Sequence, residues 1–431
     1  MSGFVVQGGK KLHGKIKTNA TKNSTVAILC ATPMIRGRVV LDNVPVIEEV
    51  KRIIEILQSL GLKITWLNEH RLEIINTGQL DLQHINQEAF CLTRSALLLM
   101  GSLSSVFDNF KLPKAGGCHL GLRTVSPYLI ALEHLNIKVQ AKTHSFLINS
   151  RHKKATDLTM YEMGDTATEN TILAAVLTPG TTTIHFASAN YMVQDLCYFL
   201  KSAGAKIVGI GTSTLVITGV KKLKPTTYAI MPDPIESMAF IALAIVTKSK
   251  LTITHCPIDF LRLELEKLRV MGQAMIIGQI YKSDNKHFDL VDITIKPSTL
   301  KALPDKLHPQ PYPGLNIDNL PLFIPILTQA KGATLVNDWV YEGRAIHYAK
   351  MKKFGAQIIT HDQHRLTVIG PTKLKAANIF SPPALRPAIN LLICMLGAKG
   401  QSTLHNTYPI ERGYENLVGR LSQLGATIKK I

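Results

Sequence analysis

Six times along the chain an amphipathic segment runs into a turn residue and then into alternating apolar and polar positions. The copies are Leu57-Gln-Ser-Leu-Gly-Leu-Lys-Ile64, Leu132-Glu-His-Leu-Asn-Ile-Lys-Val139, Leu200-Lys-Ser-Ala-Gly-Ala-Lys-Ile207, Leu268-Arg-Val-Met-Gly-Gln-Ala-Met275, Met351-Lys-Lys-Phe-Gly-Ala-Gln-Ile358 and Leu421-Ser-Gln-Leu-Gly-Ala-Thr-Ile428. Their turn positions, 61, 136, 204, 272, 355 and 425, recur about every 70 residues, too long a period for a common solenoid. The pattern predicts a helix C-terminus capped by a residue in the left-handed conformation, followed by a strand. In the first copy Val46, Val50, Ile53, Ile54, Leu57 and Leu60 recur at helical spacing and cover one face of the preceding helix.

A second, more apolar helix stands earlier in the units. Ser24 to Ala31, Thr171 to Leu177, Met238 to Val246, Leu320 to Leu327 and Ala388 to Leu396 are apolar nearly all round, which predicts that they are buried. One unit therefore reads as buried helix, strand, exposed helix, strand and strand. Six units divide as three plus three, and Lys221 to Pro234, with Pro225, Pro232 and Pro234 behind a lysine cluster, is the expected crossover between the halves. Buried helices inside, with strands and amphipathic helices outside, make each half an α/β domain, and function is expected in a cleft between the two.

Composition narrows the class. A chain of 431 residues is expected to form two or three domains. Its first residues carry no apolar stretch of signal-peptide length, and its longest apolar runs are too short to span a bilayer, so a cytoplasmic protein with no membrane partner is expected. The net charge of +19 calls for an anionic partner. The lysines are scattered in pairs such as Lys10-Lys11 and Lys352-Lys353, with no basic arm or aromatic-interleaved patch, so a small anionic substrate fits better than nucleic acid. No obligate protein partner is evident.

Cysteine placement adds candidate chemistry. Cys118 lies in Lys114-Ala-Gly-Gly-Cys-His-Leu-Gly-Leu-Arg123, where Gly116, Gly117 and Gly121 suggest a mobile loop and Lys114, His119 and Arg123 favour the reactive thiolate. The other five, Cys30, Cys91, Cys197, Cys256 and Cys394, stand mostly among apolar neighbours and are expected in the core. No Cys-x-x-Cys pair and no zinc-like spacing occurs, and a chain so poor in cysteine points to a reducing compartment.

The starts of the buried helices carry unusual side chains: Lys22-Asn23, Arg94, Thr168-Glu-Asn170, Glu236, Asp318 and Arg386. Arg123, Glu342 to Arg344 and Glu411-Arg412 stand near the starts of outer helices. Ordinary capping accounts for Glu236 and Glu342. It does not account for Lys22, Arg94, Arg386 and Arg412, because cations at a helix N-terminus oppose the macrodipole. Helix N-termini lined with guanidiniums instead suit phosphate or carboxylate.

On these residues the chain resembles the enolpyruvyl transferases over its whole length. The matching stretches are Thr21-Lys-Asn23, Leu112-Pro-Lys-Ala-Gly-Gly-Cys118 through Gly121-Leu-Arg123, Ala167-Thr-Glu-Asn170, Met231-Pro-Asp-Pro-Ile-Glu236, Pro311-Tyr-Pro-Gly314 to Asp318, Tyr341-Glu-Gly-Arg344, Leu385-Arg386 and Glu411-Arg-Gly-Tyr-Glu415. The Gly-Gly-Cys loop places it nearer the sugar-nucleotide branch than the shikimate branch. The resemblance implies two similar domains of three βαβαββ-type units, an inside-out α/β barrel with buried helices, covering 22–231 and 1–21 plus 232–431.

It also implies transfer of the enolpyruvyl group of phosphoenolpyruvate to the 3-hydroxyl of UDP-N-acetylglucosamine with release of phosphate, in peptidoglycan precursor synthesis, without metal or organic cofactor. By resemblance Lys22, Arg123 and Arg412 hold phosphoenolpyruvate, while Arg94, Arg344 and Arg386 complete an electropositive cleft. Asp318 is the implied base toward the sugar hydroxyl, Cys118 acts in proton transfer and product release, and Asn23 positions the sugar. Asp233 also matches a family position, open between a site role and helix capping.

Departures from the family pattern fall mainly on the nucleotide side. They are Arg123-Thr-Val-Ser126, Gly164-Asp-Thr166, Asn190-Tyr-Met192, Leu315-Asn-Ile317 and Ala384, which stands where the family usually has an aspartate. They leave open a different hydroxyl acceptor or a non-catalytic relative that binds a nucleotide sugar.

Overall fold

The computed structural model describes residues 2–116 and 124–431. The chain divides into two compact units: residues 20–116 with 124–231 form one, and residues 2–19 with 232–431 form the other. The predicted Cys118 loop, including Arg123, lies outside the described residues.

The six repeat turns share one backbone conformation. Gly61, Gly204, Gly272, Gly355 and Gly425 have φ between 86° and 99°, and Asn136 takes the same left-handed region at 59°. A side chain with a Cβ is disfavoured there, which is why glycine recurs and asparagine is the one substitute. Each turn ends an outer helix or helical turn and releases the chain into a strand.

In the unit of residues 20–231 the helices Lys22–Ala31, Leu99–Leu103 and Asp165–Ala175 pack on one another as the core. The first starts two residues before the predicted span and the last starts six before it. Three separate sheets surround them, in the strand orders 226–229, 37–42, 71–76, 63–68, then 109–113, 145–149, 138–141, and then 206–208, 214–218, 181–185, 157–159. In the first and third, an antiparallel meander gains a parallel strand, Thr226–Ala229 beside Gly37–Asp42 and Asp157–Thr159 beside Thr181–His185. The predicted crossover segment is thus partly a strand of this unit, with the division falling at 231–232.

The other unit repeats the arrangement around Pro234–Val246, Leu320–Leu327 and Leu385–Gly397. Every residue of Pro234–Val246 is buried. Complete burial of one Leu, Ile or Phe contributes about 1.5–3 kcal/mol, so this helix is one substantial part of its unit's core. Its sheets keep the parallel addition: His13–Lys17 beside Lys250–Pro257, Leu300–Lys301 beside Ala330–Asn337, and Asn378–Phe380 beside Gly400–His405. Gly3–Gly8 then inserts antiparallel between Gly400–His405 and Thr427–Lys430. None of the six sheets closes on itself among the described residues, so the helices are central without a continuous barrel around them.

Polar groups lock helix against helix at equivalent places. Gly101 N–H donates to Asn170 Oδ1 at 2.9 Å in one unit, and Asn390 Nδ2 donates to the Pro321 carbonyl at 2.7 Å in the other. The chain segment before Ala20 is held by Glu236, which is buried and accepts from Asn19 N–H at 2.6 Å and from Arg420 Nη1 at 2.6 Å. Arg420 Nη2 also donates to the Lys17 carbonyl at 2.6 Å. Glu236 is therefore the hub of an internal clamp beyond its place in a helix's first turn.

Cys30, Cys197, Cys256 and Cys394 are buried, and burial pushes the thiols of Cys256 and Cys394 up to about 12. Cys91 departs from the core expectation. It is exposed on the short helix Gln87–Leu92, where only Ala89 and Phe90 turn inward.

Asp195 supplies a stability test. It is fully buried on the helix Tyr191–Ser202 and accepts from Tyr228 Oη at 2.6 Å and Met231 N–H at 3.3 Å. Burial raises its carboxyl to about 7, against the lowering effect of those donors. The folded state then holds a proton that the unfolded chain releases near pH 4, so stability falls as pH rises from about 4 to about 7. Asp195→Asn is expected to flatten the melting temperature across that window. An unchanged slope would show that Asp195 ionises normally in the fold.

Candidate active site

In the unit of residues 2–19 and 232–431, the first turns of two helices bring Arg344 and Arg386 to Asp318, which itself stands before a third helix. The turn carrying it is fixed from below. Asp318 N–H donates to Asn316 Oδ1 at 2.8 Å, and the buried Glu264 carboxylate accepts from Asn319 Nδ2 at 2.8 Å and Asn316 N–H at 3.3 Å. Burial raises the Glu264 carboxyl above its usual range. Leu320–Leu327 starts two residues after Asp318, so the carboxylate projects at a helix N-terminus.

Among the described residues, two guanidiniums face that carboxylate. Arg386, second residue of Leu385–Gly397, places Nη2 3.5 Å from Asp318 Oδ2 and donates from Nη1 to Tyr414 Oη at 3.3 Å. Arg344 places Nη1 3.6 Å from Asp318 Oδ1. The Asp318 side chain keeps 25% of its surface exposed, against 10% for Arg386 and 1% for Arg344. A partly accessible carboxylate between two nearly buried cations can accept a proton from a hydroxyl while the cations compensate charge on an anionic ligand.

Arg344 does not occupy the open position expected of a ligand-binding cation. It is fully buried, donates from Nε and Nη2 to Asp338 at 2.7 and 2.6 Å, and gives a further Nη2 bond to the Ile317 carbonyl at 2.7 Å. The Tyr341 ring covers it, with the guanidinium carbon 4.6 Å from the centroid. Burial opposes its charge, and the surrounding Tyr348 and Asp338 outweigh that and hold it protonated. The reason is geometric: Gly343, at φ 72°, turns the chain so that the first residue of the helix Arg344–Tyr348 points inward.

Asp233 caps Pro234–Val246, accepting from Ile235 N–H at 2.7 Å and Glu236 N–H at 3.3 Å. Burial lifts its carboxyl to about 6, Arg386 pulls it down, and Glu236 pushes it up. The capping reading is therefore correct locally, and its charge is also coupled to Arg386. Arg412 follows the short helix Tyr408–Glu411 and is partly exposed.

The unit of residues 20–231 holds a second set. Lys22 opens its buried helix and is half-buried, and Asn23 donates from Nδ2 to Tyr191 Oη at 2.9 Å. Arg94 donates from Nη2 to the Thr124 carbonyl at 2.9 Å and lies 5.9 Å from the Tyr128 ring centroid. It thus secures the chain just after the Cys118 segment. Just before that segment Gly116 lies so near Cys91 that an added Cβ would meet its carbonyl oxygen at 1.8 Å. Close approach, which only glycine permits, explains Gly116 better than looseness does.

The departures at 164–166 and 190–192 prove to be one arrangement. Asp165 accepts from Ser188 Oγ at 2.6 Å and Asn190 Nδ2 at 3.1 Å. The amide at 190 and the carboxylate at 165 are partners. Tyr191, buried in the same stretch, is the residue that touches Asn23 and that sequence reasoning did not single out. Ala384 is buried at the N-cap of Leu385–Gly397 and has no polar group to offer.

Residues 6–421 match the family model described as EPSP synthase (3-phosphoshikimate 1-carboxyvinyltransferase). The chain is 32% identical over 442 residues to a UDP-N-acetylglucosamine 1-carboxyvinyltransferase of Bacteroides fragilis, covering 100% of both chains. It is 34% identical over 441 residues to the protein of that name from Bradyrhizobium diazoefficiens, covering 99% of this chain and 98% of the relative. Among solved structures, the enolpyruvyl transferase NikO from Streptomyces tendae superposes with a TM-score of 0.87 at 22% identity, covering 100% and 99% of the two chains. EPSP synthase from Acinetobacter baumannii gives a TM-score of 0.75 at 16% identity, covering both chains completely, a likeness of fold.

Proposed function

The chain belongs to the EPSP synthase family, and we propose that it transfers the enolpyruvyl group of phosphoenolpyruvate to the 3-hydroxyl of UDP-N-acetylglucosamine, releasing phosphate. The observation that carries the reading is the Asp318 carboxylate set between Arg344 and Arg386 in a chain whose full-length relatives bear that activity as their name. Asp318 takes the proton from the sugar hydroxyl as its oxygen bonds to the central carbon of phosphoenolpyruvate, and the methylene carbon gains a proton. Loss of a proton from that carbon and departure of phosphate then restore the double bond. Lys22, Arg123 and Arg412 hold the anion, Arg94, Arg344 and Arg386 add to the positive charge, Asn23 orients the sugar, and Cys118 serves proton transfer and product release.

The deciding experiment incubates the protein with both substrates and measures phosphate against a control without acceptor. Acceptor-dependent release is expected. Phosphoenolpyruvate binding without release for this sugar, but release with another hydroxyl compound, would reassign the acceptor. No release with any acceptor would remove the catalytic reading.

The thiol has its own test. An electrophilic analogue of phosphoenolpyruvate is expected to alkylate Cys118 first, and peptide mapping reads the site. The exposed Cys91 is the proper comparator, since the four buried thiols are shielded in any case. Equal labelling of Cys91 and Cys118 would remove the argument for an activated thiol.

A further inference from the structure

Arg344 has five N–H donors in a rigid fork. Two of its nitrogens, Nε and Nη2, engage both oxygens of Asp338, and Nη2 also reaches the Ile317 carbonyl. That leaves Nη1 facing Asp318 at 3.6 Å, longer than a hydrogen bond. The guanidinium plane is therefore set by Asp338 and not by Asp318. Asp338 is itself immobilised: it is fully buried, its Oδ2 accepts from Tyr348 Oη at 2.6 Å, its N–H donates to the His364 carbonyl at 2.8 Å, and its carbonyl lies 3.2 Å from His364 Nδ1.

We propose that Asp338 is a positioning residue of the reaction, acting through Arg344 to keep that guanidinium from closing a two-bond pair on the Asp318 carboxylate. This rests on Asp318 being the base, as read above. Without the Asp338 charge, the buried Arg344 fork can turn to Asp318, the other carboxylate within 4 Å of it among the described residues. A closed Arg344–Asp318 pair would occupy the lone pairs that must receive the hydroxyl proton and would make the carboxylate less basic. The present geometry prevents this by meeting most of Arg344's demand on the side away from Asp318. Among the described residues, the charged and titratable groups around Asp318 include Arg344 and Arg386 directly, Asp338, Tyr348, Asp233 and Tyr414 behind them, and Glu264 beneath the turn.

The test is Asp338→Asn, which keeps shape and removes charge. Expected is a fall in kcat of about 10- to 100-fold, the scale of a misplaced catalytic group, with little change in KM for phosphoenolpyruvate. The acid limb of the kcat–pH profile should move to lower pH, because the Arg344 charge then acts on Asp318 alone. Placed in an Asp318→Asn background, the substitution should cause no further loss. Tyr348→Phe, which removes one brace and no charge, should shift the profile in the same direction by less, and it carries the test if Asp338→Asn does not fold. Unchanged kcat and pH profile in folded variants, or equal losses with and without Asp318, would overturn the proposal. Absence of acceptor-dependent phosphate release by the unsubstituted protein would instead strike the underlying reading of function.

Discussion

Asp318→Asn is expected to reduce acceptor-dependent phosphate release by about 100- to 10,000-fold, the range contributed by a positioned general base. Phosphoenolpyruvate binding, measured by calorimetry, should persist, because asparagine leaves Arg386 and Arg344 in place and removes one negative charge from their surroundings. The turn should also survive, since Glu264 holds it through Asn316 and Asn319. Retained turnover in the folded variant would mean that another group takes the hydroxyl proton.

Arg386→Gln should act on binding and on pH together. A charge-assisted hydrogen bond from a guanidinium is worth about 1.5–3 kcal/mol, so affinity for phosphoenolpyruvate should fall by about 10- to 100-fold. Arg386→Lys should recover part of this through charge, without the two-nitrogen reach that now spans Asp318 and Tyr414. The second effect concerns Asp233, whose carboxyl is lifted to about 6 by burial while Arg386 restrains it. A buried acid lifted in this way is protonated in the fold and ionised in the unfolded chain between about pH 4 and pH 6, so stability declines with rising pH across that interval. In Arg386→Gln the decline should extend to higher pH, and Asp233→Asn in the same background should abolish the extension. Melting curves of the three variants would decide it. An identical pH dependence in Arg386→Gln and the unsubstituted protein would sever the link between the two residues.

What could be read from sequence was local in origin. The repeat turns were visible because the left-handed conformation admits few residue types, and all six adopt it. The central helices were visible because a segment apolar on every side has no solvent face. Asp318, Arg386 and Lys22 were visible as charges at helix starts. The rest depended on partners distant in the chain or on which way one side chain turns. Arg344 reads as another cation at a helix start, and its inward direction follows from Gly343 and from a carboxylate six residues earlier, at the end of the strand Ala330–Asn337. An aspartate directly after a strand and six residues before an arginine-led helix was the available signal. The departures at 165 and 190 looked like separate losses and are hydrogen-bonded partners. Cys91 has apolar neighbours in sequence, but a helix of six residues offers too little inward face to bury it.

The strand Gly3–Gly8 lies between Gly400–His405 and Thr427–Lys430, so the chain's beginning is structurally complete only when its end exists. On the ribosome the two units therefore mature on different schedules. Residues 20–116 and 124–231 belong to one unit able to condense while synthesis proceeds, whereas the first strand must wait for residues 400–430 to gain its neighbours. Until then it is a short apolar segment, Phe-Val-Val, with unsatisfied edges. Its flanking Lys10 and Lys11 give the nascent segment charge that discourages pairing with other chains during that interval.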